Sequence, residues 1–199
     1  LNVGAKLFEE LNNKTFFKDI ELQLIKLSKE FGFRLPTVVL RYDIKLSECE
    51  YILNLRKTPI VKKTVNLNDD KYKESILNQL ETLCNEYIDD LFSFNELLSL
   101  ISNISEQESA LVHELIGRLS YTQIFSVCKY LLKEKVPLID MLTILESLFR
   151  VSDSNITEVG VLEYVRSKLF KAITQKFTSS DGSVYILVFD SKLEQHLIS

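Results

Sequence analysis

The sequence predicts an α+β fold, with a small α/β sheet unit over residues 1–70, a multi-helix subdomain over 71–155 and a truncated C-terminal α/β unit over 156–199. Three observations lead to this prediction. The 199 residues include only 5 Gly and 3 Pro, which favours long helices over a hairpin-rich β-protein. The middle of the chain carries apolar residues at helical spacing. Residues 50–56 alternate with period two, as half-buried strands do.

The first unit is predicted to be one helix on a mostly antiparallel sheet. Its helix covers residues 18–31 and ends at Gly32, because glycine commonly stops helices. The segment 1–8 is either a short strand or an irregular lead-in. Three strands are expected over 37–43, 50–56 and 59–67, and a short connection at 57–59 joins the last two as a hairpin.

The middle unit is predicted from helix-start signals. A long helix is expected over residues 71–91, and later helices begin at capping boxes, in which a Ser oxygen accepts from the amide three residues on. The boxes are Ser93 with Glu96, Ser105 with Glu108 and Ser120 with Gln123, and a near-match of Asn155 with Glu158 opens a helix to about residue 177. Residues 120–166 should therefore form a helix, a Val-Pro break, a helix, a polar loop and a helix.

The end of the chain changes character after a polar turn around Asp181 and Gly182. Residues 184–189 form a continuous apolar run, typical of a strand buried on both faces, and 191–198 resemble the start of a helix. Because such a strand needs partners, we infer that an α/β unit is cut partway; alternatively, the strand adds to the N-terminal sheet. The chain starts with Leu1 rather than Met, and we interpret it as a piece of a longer protein.

The charge and composition of the chain limit the kinds of partner that it is expected to bind. The net charge of −4 argues against a nucleic-acid partner, which usually requires a basic excess. The basic pairs at 56–57 and 62–63 flank the third predicted strand, where lysines typically discourage edge-to-edge pairing of sheets. No apolar run approaches the ~18 residues that a membrane-spanning helix needs.

Candidate catalysts are few. Cys49, Cys84 and Cys128 have no metal-binding spacing and are predicted to be reduced thiols, and His113 and His196 lack neighbouring ligand residues. No phosphate-binding loop or nucleophile elbow is present in the sequence, so neither a catalytic residue nor a cofactor is predicted. Cys128 is the one nucleophile worth testing, and its apolar helical surroundings should raise its pKa.

Three segments, in this order, carry a resemblance to a known family. They are residues 25–41 (IKLSKEFGFRLPTVVLR), 127–148 (with LLKE, Val-Pro and ILESL) and 162–166 (LEYVR). They resemble the cytosolic C-terminal domain of the large export-gate protein of type III secretion systems, a family shared by flagellar and virulence machines. The chain is identified as a shortened or divergent member.

The chain departs from the family pattern in two places. Ile139 and Leu142 occupy positions where relatives carry basic residues, so the contacts of those charges are not expected here. Relatives also insert a small α/β subdomain that contributes to chaperone docking, whereas residues 66–70 here join the third strand directly to the next helix.

The resemblance implies a non-enzymatic domain at the cytoplasmic face of the bacterial inner membrane, belonging to a multi-pass membrane protein. In the family such domains form a ring of nine copies, which docks secretion chaperones with their exported substrates and contacts other export-apparatus proteins. The resemblance therefore implies a domain that catalyses nothing, and no cofactor is expected.

Five polar positions on the amphipathic helices between 105 and 150 are candidates for an oligomer or partner surface. They are Glu114, Arg118, Lys129, Lys133 and Arg150. Solvated helix faces are the simpler explanation for each. The alternative function is a helical adaptor for protein interactions, unrelated to secretion.

Overall fold

The structure is a computed structural model that describes residues 1–154, 156–179, 181–185 and 190. The N-terminal part confirms one long helix on a small sheet. Its elements are β1 (Asn2–Val3), α1 (Ala5–Leu11), α2 (Lys14–Phe31), β2 (Arg41–Tyr42), β3 (Glu50–Leu55) and β4 (Thr58–Thr64). The sheet order is β2-β1-β3-β4, with β1 parallel to β2 and antiparallel to β3.

Helix α2 begins four residues earlier than predicted because Asn13 caps it. The Asn13 side chain accepts a hydrogen bond from the Phe16 amide, which satisfies one of the otherwise unpaired donors of the first turn. The helix ends where predicted, at Gly32, whose φ of 82° lies in the left-handed region that glycine adopts without strain. Its buried face is a regular stripe: Phe16, Ile20, Leu24, Leu27 and Phe31.

Two predictions for this unit are wrong. Of the strand expected over 37–43, only Arg41 and Tyr42 form β2, although Val39 O and the Asp43 amide also bond to Leu1 and Val3. The segment 1–8 is neither a strand throughout nor an irregular lead-in. It contains the short strand β1 and, after Gly4, the start of helix α1, which was not predicted. The hairpin is confirmed, with its turn at Arg56 and Lys57, one residue earlier than expected.

The helical part comprises six helices before residue 152. They are α3 (Tyr72–Glu86), α4 (Ile88–Leu91), α5 (Phe94–Ser105), α6 (Ser109–Arg118), α7 (Tyr121–Lys133) and α8 (Met141–Val151). The single helix predicted over 71–91 is broken at Tyr87. There the carbonyls of Asn85 and Glu86 accept from the Lys135 ammonium, which replaces the intrahelical partners that a continuous helix would supply.

The capping predictions have mixed outcomes. Ser120 and Gln123 form a full capping box, and Ser93 accepts from the Glu96 amide. The Ser105 box is wrong, because α5 continues through Ser105 and α6 starts after Glu108. Helix α5 extends to Ser105 because its apolar face, which includes the buried Ile101, packs against the core.

The Val-Pro break after α7 is confirmed and has a defined geometry. The Lys135 amide donates to Leu132 O and the Val136 amide to Leu131 O, both at 2.8 Å, which is the Schellman pattern of helix ends. Lys135 occupies the left-handed position of this motif, with φ 63°. Pro137 follows and cannot extend the helix.

The last described helices are α9 (Glu158–Lys168) and α10 (Phe170–Phe177), so the single helix predicted to residue 177 is interrupted at Leu169. Helix α9 is capped by Thr157, whose side chain accepts from the Gly160 amide, and not by Asn155, which lies outside the described residues. Of the predicted strand 184–189, Val184 bridges to Thr178 and Tyr185 is 83% exposed, in contrast to the burial expected; residues 186–189 and 191–199 lie outside the described residues.

The two halves of the molecule share one hydrophobic core. Phe33, which follows α2, contacts Phe92 edge-on with 4.9 Å between ring centroids, and Phe92 stacks on Phe125 of α7 at 5.4 Å. At a second junction, the Leu138 amide donates to Phe31 O at 2.8 Å. Among the described helices, none combines the length and apolar character needed to cross a membrane.

Candidate docking surface

The five predicted surface residues separate into two groups on neighbouring helices. Glu114 and Arg118 lie on α6, and Arg150 lies at the end of α8, beside the residue that Arg118 contacts. Lys129 and Lys133 lie one turn apart on α7. The structure therefore does not bring all five into one site.

Arg118 links α6 to α8. Its guanidinium pairs with Asp153, lies 3.9 Å from Glu114 Oε2, and sits over the Phe149 ring at 4.5 Å from the centroid. A guanidinium held by a carboxylate and an aromatic face is a well-ordered group. Arg118 and Glu114 thus form contacts within the molecule that connect α6 to the end of α8.

Lys129 links α7 to α4. Its Nζ lies 3.3 Å from Asp90 Oδ1, and the Asp90 carbonyl in turn accepts from the Arg56 guanidinium at 3.1 Å. Asp90 therefore connects the β3–β4 hairpin tip to the helical part.

Lys133 and Arg150 are exposed, and neither forms an ion pair within the part of the chain that the structure describes. Each occupies the last turn of its helix, where a cation interacts favourably with the helix dipole. These two charges remain available to a partner at the surface.

A groove between α7, the end of α8 and α9 was not predicted from the sequence. We call it the α7–α9 groove; its volume is about 460 Å³, and Val127, Val161 and Leu162 line it. Tyr130 and Ile156, which also line it, are 50% and 45% exposed, and Val159 in the first turn of α9 is 65% exposed. Clustered exposed apolar groups of this kind are typical of protein-interaction surfaces.

A sequence signal for this groove exists. On α7 the buried stripe consists of Ile124, Cys128, Leu131 and Leu132. Val127 and Tyr130 fall outside that stripe, so an apolar face remains that the core does not need. Its partner helix could not be identified without knowing that α9 packs alongside.

The described residues offer little catalytic chemistry. Burial raises the pKa of the Cys128 thiol to about 12, as expected from its apolar surroundings, and that of the Cys84 thiol to about 11. A neutral buried thiol is a poor nucleophile. Among the described residues, which do not include His196, no cluster of His, Cys, Asp or Glu is suited to a metal.

The sequence matches proteins of flagellar assembly. A model of the FHIPEP family matches residues 69–199. The chain is 33% identical over 125 residues to the flagellar biosynthesis protein FlhA of Helicobacter pylori, and 30% identical over 124 residues to that of Salmonella typhimurium. Each alignment covers 62% of this chain but only 17% and 18% of the relative, so the chain spans about a sixth of the length of these curated relatives.

The fold matches solved structures over nearly the whole chain. Chlamydia pneumoniae CdsV superposes with a TM-score of 0.85 at 20% identity, covering 100% of this chain and 72% of that one. A complex of CdsV with CdsO gives 0.83 at 19% identity, covering 98% and 71%. The nonameric SctV-C of EPEC gives 0.76 at 17% identity, covering 98% and 79%. These similarities favour the export-gate interpretation over an unrelated adaptor.

Proposed function

The chain belongs to the FHIPEP family, and from this premise we propose that it is a non-enzymatic docking domain of a protein-export gate. In this proposal it assembles into a ring with copies of itself, nine in number, at the cytoplasmic face of the bacterial inner membrane. The ring receives secretion chaperones with their exported substrates and contacts other components of the export apparatus.

The α7–α9 groove is the observation that carries this proposal. Its apolar lining, which includes the exposed Tyr130 and Ile156, would be shielded from water by a partner. Burying one side chain of valine or leucine size contributes about 1.5–3 kcal/mol, so a few such contacts supply useful affinity. Lys133 is exposed one turn after Tyr130 on α7.

The ring and its partners are supported by the likeness to SctV-C, a nonamer, and to CdsV, solved with CdsO. The absence of catalysis is supported by the buried thiols, whose raised pKa values keep them neutral at ordinary pH. Lys133 and Arg150, exposed at helix ends, suit contacts with acidic groups of a neighbouring copy.

Replacing Ile156 by Glu tests the proposal. Ile156 lines the groove and precedes Thr157, the N-cap of α9, so the helix should persist while a charge enters the groove. We expect binding of type III secretion chaperones, measured by surface plasmon resonance, to weaken about tenfold or more, as the loss of one buried isoleucine side chain implies. Sedimentation velocity at high protein concentration measures self-association in parallel.

Ile44→Glu is the matched control, because Ile44 is also exposed and apolar but lies in the turn after β2, far from α9 in the chain. It should leave both measurements unchanged. A wild-type protein that stays monomeric and binds no chaperone would contradict the proposal, as would equal binding by the Ile156→Glu variant.

A further inference from the structure

Strand β4 forms one edge of the N-terminal sheet. It stands last in the order β2-β1-β3-β4, and among the described residues no strand pairs with its outer side. With seven residues it is the longest of the four strands, whereas β2 at the other edge has two. An edge of this length offers backbone donors and acceptors to an incoming strand. We call residues 60–64 the β4 edge.

Alternate residues of the β4 edge turn their backbone groups away from β3. The Val65 amide donates to Cys49 O at 3.0 Å, so Val65 faces β3. Because backbone groups alternate in direction along a strand, Lys63 also faces β3, whereas Lys62 and Thr64 face outwards. Each of these two residues can exchange a pair of hydrogen bonds with one residue of an added antiparallel strand.

The β4 edge is accessible on both faces of the sheet. Tyr51 of β3 is fully buried, yet Lys63, its cross-strand partner, is exposed. The core that encloses Tyr51 therefore does not extend over Lys63. On the opposite face, Lys62 and Thr64 are also exposed. The side chains of an added strand would thus have space on either side of the sheet.

The β4 edge is cationic, although the chain as a whole carries a net charge of −4. Lys57 in the turn before β4, and Lys62 and Lys63 within it, are exposed, and residues 57–64 include no acidic side chain. The Lys62 ammonium lies 3.0 Å from Glu50 Oε1. Lys57 and Lys63 form no ion pair with any residue that the structure describes. Acidic side chains beside them would therefore be stabilised.

The same lysines disfavour a second copy of β4 as the occupant. Two antiparallel copies paired around Lys62 would place the lysines of one copy against those of the other, and like charges directly opposite each other are destabilising. Lysine commonly protects sheet edges from self-association in this way. An acidic strand meets no such repulsion, so the charge of the edge selects a partner of different sequence.

The order of residues in β4 determines the order expected in its occupant. Ile60 and Val61 are half-buried and pack against the core, and Lys62 and Lys63 follow them. Because an antiparallel strand runs in the reverse direction, it would present two acidic residues first and apolar residues after them. The second acidic residue would lie opposite Lys62 and bond to its backbone, whereas the first would lie opposite Lys63 with its backbone turned away.

We propose that the β4 edge binds an extended segment of a partner protein, which joins the sheet as an antiparallel strand with two acidic residues opposite Lys63 and Lys62 and apolar residues after them. Main-chain hydrogen bonds to Lys62 and Thr64 hold the segment, and the lysines select its charge. This interaction surface lies in the N-terminal unit and does not depend on the docking function proposed for the α7–α9 groove.

Fluorescence anisotropy with short labelled peptides tests the proposal on the intact chain. The probe is Thr-Glu-Glu-Val-Val-Thr with both ends blocked, and it should bind saturably. The reversed peptide, Thr-Val-Val-Glu-Glu-Thr, has the same composition and charge. It should bind at least about threefold more weakly, because the antiparallel alignment would place its valines opposite the lysines.

Methylation of single amides in the probe tests the main-chain hydrogen bonds. Methylating the amide of the second glutamate removes its bond to Lys62 O and should weaken binding about fivefold or more. Methylating the amide of the first valine is the matched control, because this amide points away from β4 in the same alignment. Its effect should stay below about twofold.

A charge reversal on the protein tests the selection by lysine. Lys63→Glu should weaken binding of the probe about threefold or more, and it should strengthen binding of a probe whose glutamates are replaced by lysine. Lys45→Glu is the matched control, because Lys45 is also exposed but lies in the turn after β2, the strand at the opposite edge. It should leave the binding of both probes unchanged. Far-UV circular dichroism confirms that each variant is folded.

Equal binding of the two methylated probes, or of the probe and its reversed form, would overturn the proposal, and neither comparison depends on a variant folding. A lack of saturable binding by the probe would overturn it as well. A doubled mass in sedimentation velocity that the probe returns to the monomer would assign the β4 edge to a second copy, contrary to the proposal.

Discussion

At the scale of single residues, burial of the Cys128 thiol makes the stability of the folded protein depend on pH in alkaline solution. Burial raises its pKa from the ordinary 9.0 to about 12, so the folded protein keeps the thiol neutral while the unfolded chain ionises it above pH 9.0. The contribution of this neutral thiol to the free energy of unfolding is fully present below pH 9.0 and is lost as the pH rises towards about 12. No comparable loss is expected from this group at neutral pH.

We expect the free energy of unfolding to fall by up to about 1.4 kcal/mol per pH unit between pH 9 and 11 on account of this thiol alone. Cys128→Ala should therefore show a shallower decline than the wild type, whatever stability it loses at pH 7. Urea unfolding at pH 7, 9 and 10 measures both slopes. Parallel slopes for the two proteins would refute the assignment of Cys128 as a buried neutral group.

At the scale of elements, the first turn of α7 depends on its capping box. The Ser120 side chain accepts from the Gln123 amide at 3.3 Å, and Gln123 Oε1 accepts from the Ser120 amide at 2.8 Å. Ser120→Ala should cost about 1 kcal/mol of unfolding free energy in urea titrations.

Ser105→Ala is the matched control for that substitution. Ser105 occupies the same sequence pattern but ends α5 instead of capping a helix. Its replacement should change stability by less than about 0.5 kcal/mol. Equal losses in the two variants would mean that sequence pattern alone, and not cap geometry, sets the stability.

The contrast between these two serines illustrates how much of the fold the sequence determines. Local patterns correctly predicted the α+β class, the stop of α2 at Gly32 and the α7–α8 break, because neighbouring residues supply the relevant bonds. The break at Tyr87 was not predictable, because Lys135, which donates to the carbonyls of Asn85 and Glu86 at the break, lies some fifty residues away. Strand β2 was overestimated because its own composition does not show which of its residues pair with a neighbouring strand.

For the candidate surface too, local features were predictable from the sequence and contacts between distant segments were not. Polarity placed Arg118 and Lys129 on solvent-facing sides of helices, but their ion pairs with Asp153 and Asp90 join elements distant in sequence. The α7 face of the groove was visible as surplus apolar residues, whereas α9 as its other wall required the packed structure.

At the scale of the whole molecule, Gly32 joins the two halves. A Cβ at this position would lie 2.5 Å from the Ile139 nitrogen, in the loop before α8, and the backbone φ of 82° would itself be strained. We expect Gly32→Ala to reduce the unfolding free energy by about 2–4 kcal/mol, through left-handed strain and forced separation of the halves. Thermal and urea unfolding would measure the loss.

Gly117→Ala is the control for this prediction. Gly117 lies inside α6 with open space where a Cβ would be, so alanine should stabilise the protein by up to about 1 kcal/mol. If Gly32→Ala changes the unfolding free energy little while Gly117→Ala raises it as expected, the prediction is contradicted, because the backbone at Ile139 can then move to accommodate the added methyl group.

The sheet order also sets the sequence of events by which the N-terminal unit can form. β1 lies in the middle of the sheet, yet its partner across the pair Asn2 and Ile52 is fifty residues away, while β3 and β4 are joined by a two-residue turn. Closing the longer loop costs more chain entropy than closing the hairpin. During synthesis on the ribosome, Asn2 and Val3 therefore stay without their antiparallel neighbour until β3 has emerged, and α1 and α2 must wait with one face uncovered.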